Sequence, residues 1–156
     1  MVTPSRRLPL NIEVRLPNLR WPDNYTQESS KDRRYNCIAW ASDINTLRFW
    51  PNVRGYRWPD GIPKDETPEA FIQFFARQGY EVCLTPDTED RFDKIAIYTD
   101  SSGVIHAAKQ RPSGHWASKL GENEDIEHHS LQSIEGGTGQ WNYGRASIFM
   151  RRRRAP

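Results

Sequence analysis

Lys94-Ile95-Ala96-Ile97-Tyr98-Thr99-Asp100-Ser101-Ser102-Gly103-Val104-Ile105-His106-Ala107-Ala108-Lys109-Gln110 is the stretch that decides the fold. Residues 94–99 and 104–110 read as two strands, and Asp100-Ser101-Ser102-Gly103 between them is a hairpin turn. Pro112-Ser113-Gly114 turns the chain again into a third strand over 115–120, and residues 143–150 form a last one. Working back toward the N-terminus, the pattern changes from period 2 to helical. Cys37, Trp40, Ala41, Ile44 and Leu47 fall on one helical face, with Asn36 as N-cap. Thr67 caps a second helix: Pro68 suits its first position, Phe71, Phe74, Phe75 and Gln78 follow at helical spacing, and Gly79 closes it. Residues 80–84 read as a strand and 126–134 as a short helix. Helices followed by an antiparallel meander define an α+β domain rather than a doubly wound sheet.

A chain of 156 residues fits one domain and can bury a core without metal or disulfide staples. Residues 1–29, broken by Pro4, Pro9, Pro17 and Pro22, read as an irregular arm; 30–150 form the single α+β domain, and 151–156 a basic tail. The formal net charge is only +2, yet Arg151 to Arg154 run together. Such a run is most simply a solvated tail, and nucleic acid would bind through it alone. No apolar run approaches a membrane span, and the N-terminus lacks the apolar stretch of a secretory signal. The expected location is therefore cytoplasmic, or exported without a recognisable signal peptide. No Gly-rich phosphate cradle is present, so no cofactor is expected. His128 and His129 would point to opposite sides of the predicted helix, which argues against a metal.

Two residues carry the candidate chemistry. A cysteine nucleophile works as its thiolate, which unpaired N–H groups at a helix start and a nearby imidazolium both favour. Cys37 stands at a helix start, and His106 lies inside a patterned strand beside the small Ala107 and Ala108. The plainer alternative is a buried thiol acting as a small hydrophobe, with a hydrogen-bonded core histidine.

The order Asn36-Cys37-Ile38-Ala39-Trp40-Ala41, Lys94-Ile95-Ala96-Ile97-Tyr98 and Ile105-His106-Ala107 resembles the papain-like superfamily. It is closest to the NlpC-type cell-wall peptidases and related bacterial domains of unknown function, over residues 37–120. The resemblance implies a cysteine opening a helix packed on an antiparallel sheet, and a sheet histidine as its base. Lys94 departs from that pattern, since it stands where relatives carry the catalytic histidine. Two registers follow. In one, His106 is the orienting residue and the base is missing. In the other, His106 is the base and the orienter is Ser118, with Asp125 the ionised alternative. A lysine is a poor general base, which favours the second register.

The expected function is therefore a thiol hydrolase or acyl-transfer enzyme acting on an amide bond: a peptidase, amidase or deamidase with a peptide or protein substrate. Lacking an export signal, it is expected to be a delivered bacterial effector or an intracellular enzyme. The Cys37 N–H and Asn36 would hold the oxyanion, and Trp40, Trp50, Trp58 and Trp116 would wall the groove. The alternative is a binding module on the same fold, holding protein or nucleic acid through an aromatic groove and the basic tail.

Overall fold

A computed structural model describes residues 10–121 and 123–155. Pro4 and Pro9, expected in the arm, lie outside the described residues. In chain order the elements are α1 (Leu10–Arg15), β1 (Tyr25–Ser29), α2 (Cys37–Ala41), α3 (Pro68–Ala76) and β2 (Glu81–Cys83). They continue with β3 (Phe92–Asp100), β4 (Gly103–Gln110), β5 (Trp116–Lys119), β6 (Asp125–His128) and β7 (Arg145–Arg153). Two 3-10 turns, Leu131–Ile134 and Gly139–Trp141, precede β7. The strands form one antiparallel sheet in the order β1-β6-β5-β4-β3-β7-β2. This is the expected α+β class, with an antiparallel sheet and few helices.

The hairpin supplies the centre. Its period of two sends Ala96 and Tyr98 to one face of the sheet and Ile95 and Ile97 to the other. Ile12 of α1, Leu16 and Leu19 just beyond it, Tyr25, Trp141 and Tyr143 cover the first face. The second is covered by Ile38 and Ala41 of α2 and by Phe71, Phe74 and Phe75 of α3. α3 begins as its sequence dictates, with the Thr67 hydroxyl accepting from the Ala70 N–H at 3.3 Å. Each Phe it buries contributes roughly 2–3 kcal/mol by removing apolar area from water.

Four elements differ from expectation. α2 stops at Ala41 because Ser42 bonds back to Ile38 and Asp43 takes a φ of 62°, which ends the helical run before Leu47. Residues 126–134 are not a helix. Asp125–His128 is a strand held between β1 and β5, and only Leu131–Ile134 turns helically. The supposedly irregular arm contributes α1 and the edge strand β1. Ile12, Leu16 and Leu19 recur at helical spacing, and their burial outweighs the nearby prolines. Half of the expected basic tail is sheet: Arg151 to Arg153 lie in β7, paired with β3. Arg151 meets Glu81 and Glu89, and Arg152 and Arg154 both meet Asp93, so most of this charge is neutralised within the fold.

One irregularity in the sheet positions the site. The β4–β5 ladder pairs only Lys109 with Ala117 and Gln110 with Trp116. Yet β4 reaches back to Gly103 and β5 on to Lys119. α2 packs against both strands.

Candidate active site

Cys37 begins α2, directly after its cap. The Asn36 Oδ1 accepts from the Ala39 N–H at 3.2 Å and from the Phe49 N–H at 3.1 Å, while Nδ2 donates to the Phe49 carbonyl at 2.8 Å. One amide thus ties the helix start to the loop that follows. That geometry makes Asn36 a clamp, with its carbonyl oxygen and one N–H engaged by the backbone. Cys37 is 6% exposed and lines a cleft of about 540 Å³. Trp50, Tyr56, Ile105, Trp141 and Tyr143 share that cleft, together with the polar Asn123 and Gln140. Burial pushes the Cys37 thiol up to about 11, against the pull of the backbone N–H groups of Ala107, Ile38 and Cys37 itself. It rests as a neutral thiol.

His106 is fully buried on the Tyr98 face of β4. Its ring lies edge-on to Tyr98, with centroids 5.2 Å apart, and against Tyr143 at 4.6 Å. Its Nε2 is 2.9 Å from the Ser118 Oγ, which in turn is 2.7 Å from the Nε2 of His128. The Nδ1 of His128 is 2.8 Å from the Ser130 carbonyl.

The direction of this chain follows from its last link. A carbonyl can only accept, so His128 carries its proton on Nδ1. Burial holds His128 down at about 4 and His106 at about 3, so both rings are neutral. The Nε2 of His128 must then accept from the Ser118 hydroxyl, and the Ser118 oxygen accepts from the Nε2–H of His106. The Nδ1 of His106 is left bearing a lone pair, buried and with no hydrogen-bond partner.

The structure brings some expected residues together and separates others. Ser118 meets His106; Asp125 does not, since its Oδ2 accepts from the Tyr35 hydroxyl at 2.7 Å. Cys37 packs with the α2/α3 cluster and His106 on the opposite face of the sheet, and no hydrogen bond joins them among the described residues. Tyr143 touches both settings, lining the cleft beside Cys37 and lying on the His106 ring. Of the four expected groove residues only Trp50 lines the cleft. Trp58 stacks on Phe74 at 5.0 Å, Trp116 is buried in the core, and Trp40 packs on Tyr35 at 5.7 Å. Lys94 is fully buried, with its Nζ donating to the Thr85 carbonyl at 2.9 Å and paired with Glu89 at 2.8 Å.

Sequence reasoning missed His128 and Tyr143. His128 was hidden by the helical reading of its segment, although the alternation Ile126, His128 is a strand signal. Tyr143 follows a 3-10 turn and carries no local pattern.

The fold and this cleft define an α+β domain built on a seven-stranded antiparallel sheet, with a cysteine where two strands part. Residues 26–151 match the family described as "Domain of unknown function (DUF7689)", and the chain belongs to that family. No curated protein and no solved structure matches it.

Proposed function

We propose that this chain is a papain-like thiol hydrolase or acyl-transfer enzyme acting on an amide bond, with Cys37 as nucleophile and His106 as base. The observation that carries this reading is the His106–Ser118–His128 chain. It sets the imidazole tautomer and leaves Nδ1 as a buried lone pair, on the residue next to Ala107, whose backbone N–H draws the Cys37 thiol down against its burial.

Because the thiol and the imidazole both rest neutral, proton transfer accompanies attack. The Cys37 S–H proton passes to the His106 Nδ1 as sulfur bonds to the substrate carbonyl carbon, whose oxygen becomes the oxyanion. The Cys37 N–H stabilises that oxygen. His106 returns the proton to the leaving nitrogen, the C–N bond breaks, and a thioester remains. Water or a second amine then releases the acyl group. Ser118 and His128 are positioning residues, holding the Nε2–H of His106 as the ring gains charge. Tyr143 must yield for His106 to reach the cleft.

One observation favours the alternative, a binding module using the same cleft: the thiol is held protonated and makes no hydrogen bond to His106.

A peptide chloromethyl ketone, with the adduct mapped by mass spectrometry, separates the two. Wild type should be alkylated at Cys37 near neutral pH, and His106→Gln at least about a hundredfold more slowly at equal folded fraction. If the variant reacts as fast, or if labelling simply climbs toward the thiol value of about 11, Cys37 is an inert core thiol.

A further inference from the structure

The loop that walls the cleft has a second face. Its base is closed by the Arg57 N–H on the Arg48 carbonyl at 2.7 Å and the Trp50 N–H on the Arg57 carbonyl at 3.1 Å. Asn36 pins the same base through both backbone groups of Phe49. Trp50 and Tyr56 line the cleft with Cys37. Arg48 and Arg57 instead line a neighbouring depression of about 500 Å³, together with Arg33 and Arg34. Tyr56 is the shared wall: its ring lines the cleft, and the Arg48 guanidinium lies over it at 4.4 Å.

Four guanidinium groups line one depression and make it positively charged, a field that favours anions. Asp32 supplies one, gripping Arg34 through both carboxylate oxygens at 2.6 to 3.2 Å. Arg57 has no side-chain partner among the described residues, and no acidic residue lines the depression. Among the described residues, the side chains lining the cleft are, in contrast, uncharged. A ligand spanning both would present a neutral group to Cys37 and negative charge beyond Tyr56. Forked guanidinium groups suit carboxylates, bound in pairs of parallel hydrogen bonds.

We infer that the cleft takes a peptide whose amide at Cys37 is flanked by acidic side chains, which Arg48 and Arg57 recognise across Tyr56. This rests on the thiol-enzyme reading for the identity of the cleft. The neutral lining of the cleft favours a peptide over a nucleic acid, whose phosphates would run through the site as well as beside it.

The test uses the full chain and three short fluorescein-labelled peptides of one length: oligo-glutamate, oligo-glutamine and oligo-lysine. By anisotropy, oligo-glutamate should bind at least about tenfold tighter than oligo-glutamine, and oligo-lysine most weakly. The preference should fall about three- to tenfold in Arg57→Gln, and further in Arg48→Gln/Arg57→Gln, as expected for exposed charge-assisted contacts. High salt should erase it. Equal binding of glutamate and glutamine peptides overturns the inference, as does a single-stranded oligonucleotide of equal charge that displaces oligo-glutamate at lower concentration. Chloromethyl ketones of the acidic and neutral peptides keep the two readings distinct. Selective binding without a Cys37 adduct sinks the enzyme and leaves the acidic site; equal alkylation by both sinks the acidic site and leaves the enzyme.

Discussion

Mild acid should unfold this chain through two imidazoles, those of His106 and His128. Both are fully buried and neutral, with His106 held at about 3 and His128 at about 4 against an ordinary 6.5. As pH falls below 6.5 the unfolded chain takes up two protons that the folded chain refuses. Stability is therefore complete above about pH 7 and declines from 6.5 until the folded form itself protonates near 4 to 3. Each ring contributes a slope of about 1.4 kcal/mol per pH unit. Over the roughly 2.5 units from 6.5 to 4, that is about 3 kcal/mol per ring and up to about 7 kcal/mol for the pair. A domain with a total stability of about 5–15 kcal/mol does not survive that loss comfortably. The carboxylates with lowered values, Asp32, Asp100 and Glu89, start from 3.8 to 4.5 and act only at lower pH. Glu28 is raised by its burial and opposes the trend weakly. Between pH 6 and 5 the histidines therefore dominate. Urea unfolding followed by Trp fluorescence should show a slope approaching about 2.7 kcal/mol per unit there, halved in His106→Gln. A flat profile between pH 7 and 5, or an unchanged slope in the variant, would refute the buried neutral pair and the proton chain built on it.

Three further outcomes follow from single contacts. Ser118→Ala strips His106 and His128 of their shared partner and should cost about 2–5 kcal/mol in denaturant unfolding, whereas a loss below about 1 kcal/mol would mean the hydroxyl is not the link. Asn36→Ala removes the α2 cap and both bonds to Phe49, and should cost about 2 kcal/mol while raising hydrogen exchange across residues 48–57; Asn36→Asp, which keeps the acceptor, should lose about half as much. At Gly144, with φ 68°, a Cβ would meet the Thr99 carbonyl, whereas at Gly121, with φ 62°, it would meet nothing among the described residues. By thermal melts, Gly144→Ala should lose about 3 kcal/mol or more and Gly121→Ala about 1, the backbone strain alone.

The class of fold, the hairpin and α3 were all legible in the chain, because each is a local pattern. Alternation over 94–110 and the Thr67-Pro68 start need no distant partner to be read. Asn36 as cap and Cys37 as first helical residue were legible for the same reason. Residues 125–128 were not: four residues are too few to separate period 2 from 3.6, and their pairing with β1 and β5 made them a strand. The arm was misread because prolines are visible in sequence, whereas the sheet face that Ile12, Leu16 and Leu19 cover is not.

What the sequence determined by itself is the α+β class, with a capped cysteine ahead of a histidine-bearing hairpin. Only the tertiary structure decided the rest. The parting of β4 and β5 makes the cleft, and the strand register hangs His128 behind Ser118. The sheet also takes three arginines out of a tail, and the loops around α2 set four others, Arg33, Arg34, Arg48 and Arg57, around one depression. Burial and hydrogen-bond partners are properties of packed neighbours, and it is these that set the protonation of Cys37, His106 and His128.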